Sequence, residues 1–234
     1  MSIASDHNYE MLSAVAEGLG DELLNAVAFV GGSTTWLLCT DDIVLDDIRS
    51  TYDVDLVIEL AGIADWQRLT ERLAAQGFKI TAEDSDVTCR FKFNDVIVDV
   101  MPSVKEILGY ENRWFVDGLS NAETITLPSG IAIKIFKPTY FIATKLEAFK
   151  GRGGGDSYHK DVEDIVLVVD GRESLLEEVT QADQELRTYI AAGIAGLLAL
   201  NYLQNVIESS HSVSANPGRG QIIFQRLKQL SNVK

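Results

Sequence analysis

The chain of 234 residues contains few cysteines and no long apolar run. Two cysteines, Cys39 and Cys89, are too few for a disulfide framework. No stretch of about 18 consecutive apolar residues occurs, so no membrane-spanning helix is predicted. The first residues also lack the basic and apolar regions of a secretory signal peptide. We therefore expect a cytoplasmic protein that makes no membrane contact.

Basic residues are scarce as well. The chain has 20 lysines and arginines and 35 aspartates and glutamates, which gives a net charge of −15 at pH 7. Proteins that hold nucleic acid through generic phosphate contacts are usually basic, because counterion release drives their binding. The charge argues against non-specific DNA or RNA binding. It remains compatible with a nucleoside triphosphate screened by magnesium, with a basic partner protein or with a cationic small substrate.

A short apolar run at residues 26–30 is followed by Gly31, Gly32 and Ser33, and an apolar segment then resumes. This order predicts a strand, a tight turn and the start of a helix. Glycines let the backbone approach a ligand closely, and free N–H groups at a helix start suit a phosphate. The turn is therefore a candidate phosphate-binding element.

Two aspartates lie on the next predicted strand. Side chains two residues apart on a strand share a face, so Asp53 and Asp55 project together. Neighbouring carboxylates repel each other unless a cation lies between them, and magnesium is commonly held by one or two carboxylates plus substrate oxygens. The alternative is an exposed strand edge without a ligand.

A third carboxylate, Asp99, interrupts the apolar strand predicted at residues 96–101. A carboxylate in such a strand is costly unless it is paired or bound to a metal. Asn94-Asp95 predicts a hairpin turn between this strand and the preceding one, which we place at residues 87–93. Asp99 is therefore a candidate metal ligand, although it could instead point to an open sheet face or cap the turn at Pro102.

Together these motifs resemble the nucleotidyltransferase fold of the polymerase-β type. The Gly-Gly-Ser turn matches its glycine-serine turn, Asp53 and Asp55 match its metal-binding pair, and Asp99 matches its third carboxylate. More narrowly, the string from Arg49 through Thr51 to the aspartate pair resembles the AbiEii/AbiGii-type nucleotidyltransferases. Some members of that group are toxins of toxin–antitoxin systems.

The resemblance extends to the helices that follow. Lys145 and a basic residue at 152 precede a Lys-Asp-x-x-Asp segment formed by Lys160, Asp161 and Asp164. It implies that Lys145 contacts the triphosphate and that Asp161 assists catalysis or binding. From the residues alone, Lys145 could instead extend outward along its stem. Lys160 and Asp164 could equally form an ordinary intrahelical ion pair.

The resemblance implies an α/β (α+β) fold, with a mixed sheet and flanking helices in residues 1–136. A helical domain at residues 137–234 would complete the nucleotide cleft. The implied activity is transfer of a nucleoside monophosphate from a nucleoside triphosphate to a hydroxyl of RNA, protein or a small molecule, with Mg²⁺ or Mn²⁺ and, for a toxin, a cognate antitoxin partner. The implied site comprises catalytic Asp53, Asp55, Asp99 and Asp161, metal ligands Asp53, Asp55 and Asp99, and phosphate-binding Gly32, Ser33, Arg49, Thr51 and Lys145.

Three alternatives remain open at this point. An aminoglycoside-type nucleotidyltransferase would suit the acidic surface, since its substrates are cationic. An inactive module of the same fold would bind nucleotide without turnover. A structural or interaction domain would bind no nucleotide at all.

Several segments carry weaker expectations. We interpret residues 40–50 as a solvated acidic loop, residues 103–121 as irregular with Trp114 and Phe115 buried, and residues 209–219 as a loop. The glycines at 151–156 lack the Gly-Lys-Ser/Thr of a phosphate loop and predict a flexible connector. The apolar residues 190–200 predict a buried helix too short to cross a membrane.

Overall fold

A computed structural model describes residues 3–81, 89–109, 112–151 and 160–234. Part of the predicted glycine connector (residues 152–156), which includes the basic residue at 152, and the start of the strand predicted at residues 87–93 lie outside these ranges.

Within the described ranges, seven strands form one mixed sheet in the order β3-β4-β5-β2-β1-β7-β6. They are β1 Val27–Val30, β2 Asp53–Ile58, β3 Lys79–Ile80, β4 Arg90–Phe93, β5 Val96–Pro102, β6 Glu123–Thr126 and β7 Ala132–Ile135. Strands β2 and β5 are parallel, as are β1 and β7, and the remaining neighbours are antiparallel. The predicted mixed α/β sheet is confirmed.

Twelve α-helices occur in the described ranges. They are α1 Ile3–Ala26, α2 Thr35–Leu38, α3 Ile63–Ala75, α4 Lys105–Leu108, α5 Phe115–Ser120, α6 Pro138–Gly151, α7 Lys160–Gly171, α8 Leu175–Gln181, α9 Gln184–Leu198, α10 Leu203–Glu208, α11 His211–Ala215 and α12 Arg219–Ser231. None of these helices combines the length and the apolarity that crossing a bilayer would require.

The described chain divides into two compact units. The sheet unit contains the described residues of 3–34 and 50–137, and the helical unit contains the described residues of 35–49 and 138–234. The sequence interpretation placed residues 35–49 with the N-terminal domain, whereas here they group with the C-terminal helices. A periodic pattern predicts an element but not the unit against which that element packs.

The sheet unit is organised by its two central strands. Strand β1 is buried along its whole length, and β2 buries every apolar residue between Val54 and Ile58. Helix α1 packs on the sheet through the buried side chains Leu12, Val15, Ala16, Leu19 and Leu23, the stripe expected from helical spacing. Helix α1 thereby contacts both central strands.

The helical unit packs α6, α7, α9 and α12 around buried aliphatic side chains such as Ile165, Ile190 and Leu227. Helices α6 and α9 approach closely at Gly193, where an added Cβ would lie 2.5 Å from Leu146 Cδ1. Helix α9 leaves Ala192, Ala195 and Gly196 exposed, so the expectation of a fully buried helix there was wrong for one face.

Residues 40–50 are not a solvated loop. They contain a 3-10 helix, Asp42–Asp47, whose Val44 is buried. Asp41 caps it by accepting the Ile43 N–H, and its other oxygen lies 2.6 Å from Arg219 Nη2. Asp47 accepts backbone N–H groups at the start of α11. These acidic residues therefore serve as helix caps and ion-pair partners, roles that depend on distant parts of the chain.

Two other expectations were wrong for a shared reason. Residues 103–121 contain α4 and α5, and residues 209–219 contain α11. These helices have four to six residues, too short to show a helical repeat in sequence, and their stability comes from tertiary packing. Trp114 and Phe115 are buried, as predicted.

Candidate active site

Three carboxylates converge where β2 and β5 run side by side. The parallel register places Asp55 opposite Asp99, and Asp53 precedes Asp55 on the same face of β2. One oxygen from each of the three side chains lies within 4.8 Å of the corresponding oxygens of the other two. The structure thus brings together the three residues predicted as metal ligands, although Asp99 follows the other two by more than 40 positions in the sequence.

The carboxylate cluster has the chemistry of a divalent-cation site. Magnesium prefers oxygen ligands at about 2.0–2.1 Å, so two ligands of one ion lie at most about 4.2 Å apart. Spacings within 4.8 Å reach that range with small side-chain rotations. The cluster also gathers like charges that a cation would neutralise. Asp53, Asp55 and Asp99 therefore fit Mg²⁺ or Mn²⁺.

An arginine that sequence reasoning had not singled out completes this cluster. Arg90 lies on β4, opposite Asp99 in the antiparallel register. Its Nε lies 2.8 Å from Asp99 Oδ1 and its Nη2 lies 2.9 Å from Asp99 Oδ2, a two-pronged pair. Counting outward from the predicted turn at Asn94-Asp95 pairs the same two residues, so the hairpin register was the signal that could have found it.

The glycine turn contacts the carboxylate cluster directly. Gly31 has a φ of 77°, and a Cβ at this position would lie 1.8 Å from Asp55 Oδ2. Only glycine satisfies both the left-handed backbone and the available space. The turn was predicted because glycine admits a ligand, but the group that approaches Gly31 here is the Asp55 side chain.

Gly32 and Ser33 follow in a 3-10 helix, Gly32–Thr34, and α2 then continues for four residues only. The expected helix start is therefore too short for a large helix dipole. Ser33 is 1% exposed, and its Oγ has no hydrogen-bond partner in the described parts of the chain. A buried hydroxyl without a partner is uncommon and suits a ligand oxygen.

Thr51 is held from α1. Its N–H and its hydroxyl both lie within hydrogen-bonding distance of Asn8 Oδ1, and His7 Nε2 lies 3.1 Å from its carbonyl oxygen. The hydroxyl is also 3.3 Å from the Asp53 carbonyl oxygen. These contacts fix the backbone immediately before Asp53. The phosphate-binding role predicted for Thr51 stays a prediction.

Four charged residues form a separate ionic network in the helical unit. Lys145 Nζ lies 2.7 Å from Asp164 Oδ2 and 3.3 Å from Asp161 Oδ1, and Arg49 Nη2 lies 3.0 Å from Asp164 Oδ2. Lys145 therefore points inward, with 12% of its side chain exposed. The alternative Lys160–Asp164 pair is wrong, because Asp164 faces Lys145 and Arg49 while Lys160 is exposed.

The network determines the protonation of its central acid. Burial alone would raise the pKa of Asp164, but the neighbouring Lys145 and Arg49 charges and their hydrogen bonds outweigh it, so the pKa is lowered. Asp164 therefore stays ionised with two cationic partners. The catalytic role predicted for Asp161 and the phosphate-binding roles predicted for Arg49 and Lys145 stay predictions.

Comparison with solved structures agrees with this fold. The chain is similar to an antigenic nucleotidyltransferase-like protein from Paracoccidioides brasiliensis, with a TM-score of 0.57, 19% sequence identity and coverage of 97% of this chain and 94% of that one. A second solved structure, from H. pylori, aligns with a TM-score of 0.48 and 13% identity over 99% of this chain and 94% of that chain, and we draw no argument from it. No protein-family model and no curated protein matches the sequence. The protein has a nucleotidyltransferase-like fold.

Proposed function

We propose that the protein is a divalent-metal-dependent nucleotidyltransferase that moves a nucleoside monophosphate from a nucleoside triphosphate to an acceptor hydroxyl. The observation that carries this proposal is the convergence of Asp53, Asp55 and Asp99 beside the Gly31 turn, within a nucleotidyltransferase-like fold. The more specific AbiEii-type reading remains part of the proposal, supported by the Arg49-to-Asp55 string.

Each part of the site would have a distinct role. Asp53, Asp55 and Asp99 would hold Mg²⁺ or Mn²⁺, which when bound would screen phosphate charge and stabilise the entering and leaving oxygens. The backbone N–H groups of Gly32 and Ser33, with the buried Ser33 hydroxyl, would bind the β- and γ-phosphates.

Asp99 would also accept the proton of the acceptor hydroxyl. The deprotonated acceptor oxygen would then attack the α-phosphorus, while the bond between the α-phosphorus and the α–β bridging oxygen breaks. One phosphodiester forms and one pyrophosphate leaves, so no other reactant is needed.

The first test is transfer of label from each α-labelled nucleoside triphosphate with Mg²⁺ or Mn²⁺. We expect transfer by the unmodified protein and near-complete loss in Asp53→Asn and Asp55→Asn. Asp95→Asn is the matched control, because this fully exposed carboxylate on the β4–β5 turn pairs only with Lys92, at 3.7 Å, among the described residues. Full activity of either site variant would refute the assignment.

The acceptor is identified by dividing the same assay into three arms: RNA, a mixture of bacterial proteins, and an aminoglycoside. Label on an aminoglycoside would favour the small-molecule enzyme that the net charge of −15 permits. Metal-dependent nucleotide binding without transfer in any arm would identify an inactive module of this fold. No nucleotide binding would leave a structural or interaction domain.

Toxin activity follows from the AbiEii-type resemblance and has its own test. Expression of the unmodified chain in a bacterial host should arrest growth, and Asp53→Asn should not. Equal growth of both strains, at equal protein levels, would remove the toxin reading while leaving the transferase proposal in place.

A further inference from the structure

The pair between Arg90 and Asp99 lies inside the proposed metal site. Arg90 Nε donates to Asp99 Oδ1 at 2.8 Å, and Arg90 Nη2 donates to Asp99 Oδ2 at 2.9 Å. The pair is largely shielded from water, since only 26% of the Arg90 side chain and 13% of the Asp99 side chain are exposed. Its attraction is therefore screened less than that of a surface ion pair.

Asp99 differs in this respect from Asp53. Among the described residues, Asp53 has no ion pair, whereas Asp99 has a cation in contact with both of its oxygens. A carboxylate offers about four lone-pair positions, so the two hydrogen bonds from Arg90 leave some of those on Asp99 available to a cation. Arg90 does place a positive charge beside any cation that Asp99 would ligate, and like charges repel at that distance.

The local charge balance also indicates that Arg90 disfavours a cation bound to Asp99. Three carboxylates and one guanidinium leave a net charge of −2, which one divalent cation neutralises. If Arg90 moved away, the net charge would be −3 and a second cation would be favoured. A nucleoside triphosphate carries phosphate oxygens that match a guanidinium fork as well as a carboxylate does.

We propose that Arg90 keeps Asp99 out of the divalent-cation site in the nucleotide-free protein and releases it when triphosphate oxygens take its place as the guanidinium partner. This inference rests on the proposed function, since it assumes that Asp53 and Asp55 hold the metal. Arg90 is thereby a positioning residue that acts through Asp99. It makes full assembly of the metal site depend on the substrate.

The test measures Mn²⁺ binding to the whole chain by the loss of the free-Mn²⁺ electron paramagnetic resonance signal, without nucleotide. Arg90→Gln should bind Mn²⁺ about tenfold more tightly than the unmodified protein, a change as large as the loss that follows removal of a supporting partner of a metal ligand but opposite in direction. Lys92→Gln is the matched control, because it removes one positive charge from the same strand at an exposed site. Its Mn²⁺ affinity should be unchanged.

A double variant separates this role from a general charge effect. In Arg90→Gln combined with Asp99→Asn, the gain in affinity should disappear, because the gain requires the released carboxylate. If the double variant kept the whole gain, Arg90 would act through bulk charge and the inference would be overturned. Circular dichroism checks that each variant is folded.

The last arm of the experiment repeats the Mn²⁺ binding measurement with each nucleoside triphosphate present. The difference in Mn²⁺ affinity between the unmodified protein and Arg90→Gln should shrink with the triphosphate that binds. Weaker Mn²⁺ binding by Arg90→Gln would mean that Arg90 orients Asp99 for the metal, which overturns the inference. Unchanged Mn²⁺ binding in Asp53→Asn would refute the metal site itself, so the two failures are distinguishable.

Discussion

The carboxylate cluster of the sheet unit and the ionic network of the helical unit differ in their charge balance. In the sheet unit, Asp53, Asp55 and Asp99 lie together, and Asp99 pairs with the guanidinium of Arg90. In the helical unit, Asp161 and Asp164 are matched by Lys145 and Arg49. The first cluster has excess negative charge and adjoins the turn that carries Ser33, whose buried hydroxyl has no hydrogen-bond partner among the described residues. The second is internally neutral.

This difference distinguishes a cluster that a bound cation would stabilise from a network whose named charges balance one another. A cluster with unbalanced charge gains from binding a cation, whereas a neutral buried network loses stability when one member is removed. Being charged and partly buried is therefore insufficient to mark a binding site. The charge that remains after the internal pairs are counted is more informative.

The largest change in the free energy of unfolding is expected from Asp164→Asn. Removing this charge leaves Lys145 and Arg49 without their shared partner, and breaking a buried pair in this way costs about 3 kcal/mol. Asp53→Asn, which removes one of three like charges, should change the free energy of unfolding by less than about 1 kcal/mol. Urea unfolding followed by circular dichroism measures both. Equal losses would remove the distinction between the two clusters.

The next effect is expected from Gly31→Ala. The substitution forces a left-handed backbone on alanine, at about 1–2 kcal/mol, and places a methyl group against Asp55 Oδ2. Gly130→Ala is its matched control, because Gly130 has a similar φ of 88° but nothing within 4 Å of the added Cβ. The two losses of unfolding free energy should differ, with Gly31→Ala the larger. Similar losses would show that the contact with Asp55 is unimportant.

A smaller change in the free energy of unfolding is expected when the pH is lowered. The pKa of Asp164 is lowered from 3.8 in the folded protein, so its ionised form contributes stability above that value. This contribution is lost as the pH falls below 3.8 and through the folded-state pKa. The difference in unfolding free energy between the unmodified protein and Asp164→Asn should therefore stay constant from pH 7 to 5 and shrink below pH 4. A difference that already shrinks above pH 5 would contradict the assignment.

The smallest effect is expected from magnesium. A cation bound only to the folded state stabilises it by about 1.4 kcal/mol at ten times its dissociation constant. The melting temperature should therefore rise with Mg²⁺ in the unmodified protein and in Lys92→Gln. It should not rise in Asp53→Asn. A rise of the same size in all three proteins would indicate a site elsewhere.

Local pattern was enough to predict much of the sheet unit. The turn at Gly31, the strand with Asp53 and Asp55 and the strand with Asp99 each follow from short runs of alternating or apolar residues. The structure places all three carboxylates together because β2 and β5 are neighbours in the sheet. Three pairings were missed, Asp41 with Arg219, Asp47 with His211 and Asp164 with Arg49, since the partners in each lie more than 100 positions apart in the chain.

The sequence by itself determined the glycine turn, the alternating aspartates and most helices and strands, because these depend on backbone preferences and on side-chain periodicity over a few residues. Only the tertiary structure decided that Arg90 forms a two-pronged pair with Asp99, that Lys145 faces inward and that residues 35–49 join the helical unit. Those outcomes depend on strand order and on packing between distant segments. Both are set by the burial of the whole chain and not by any local pattern.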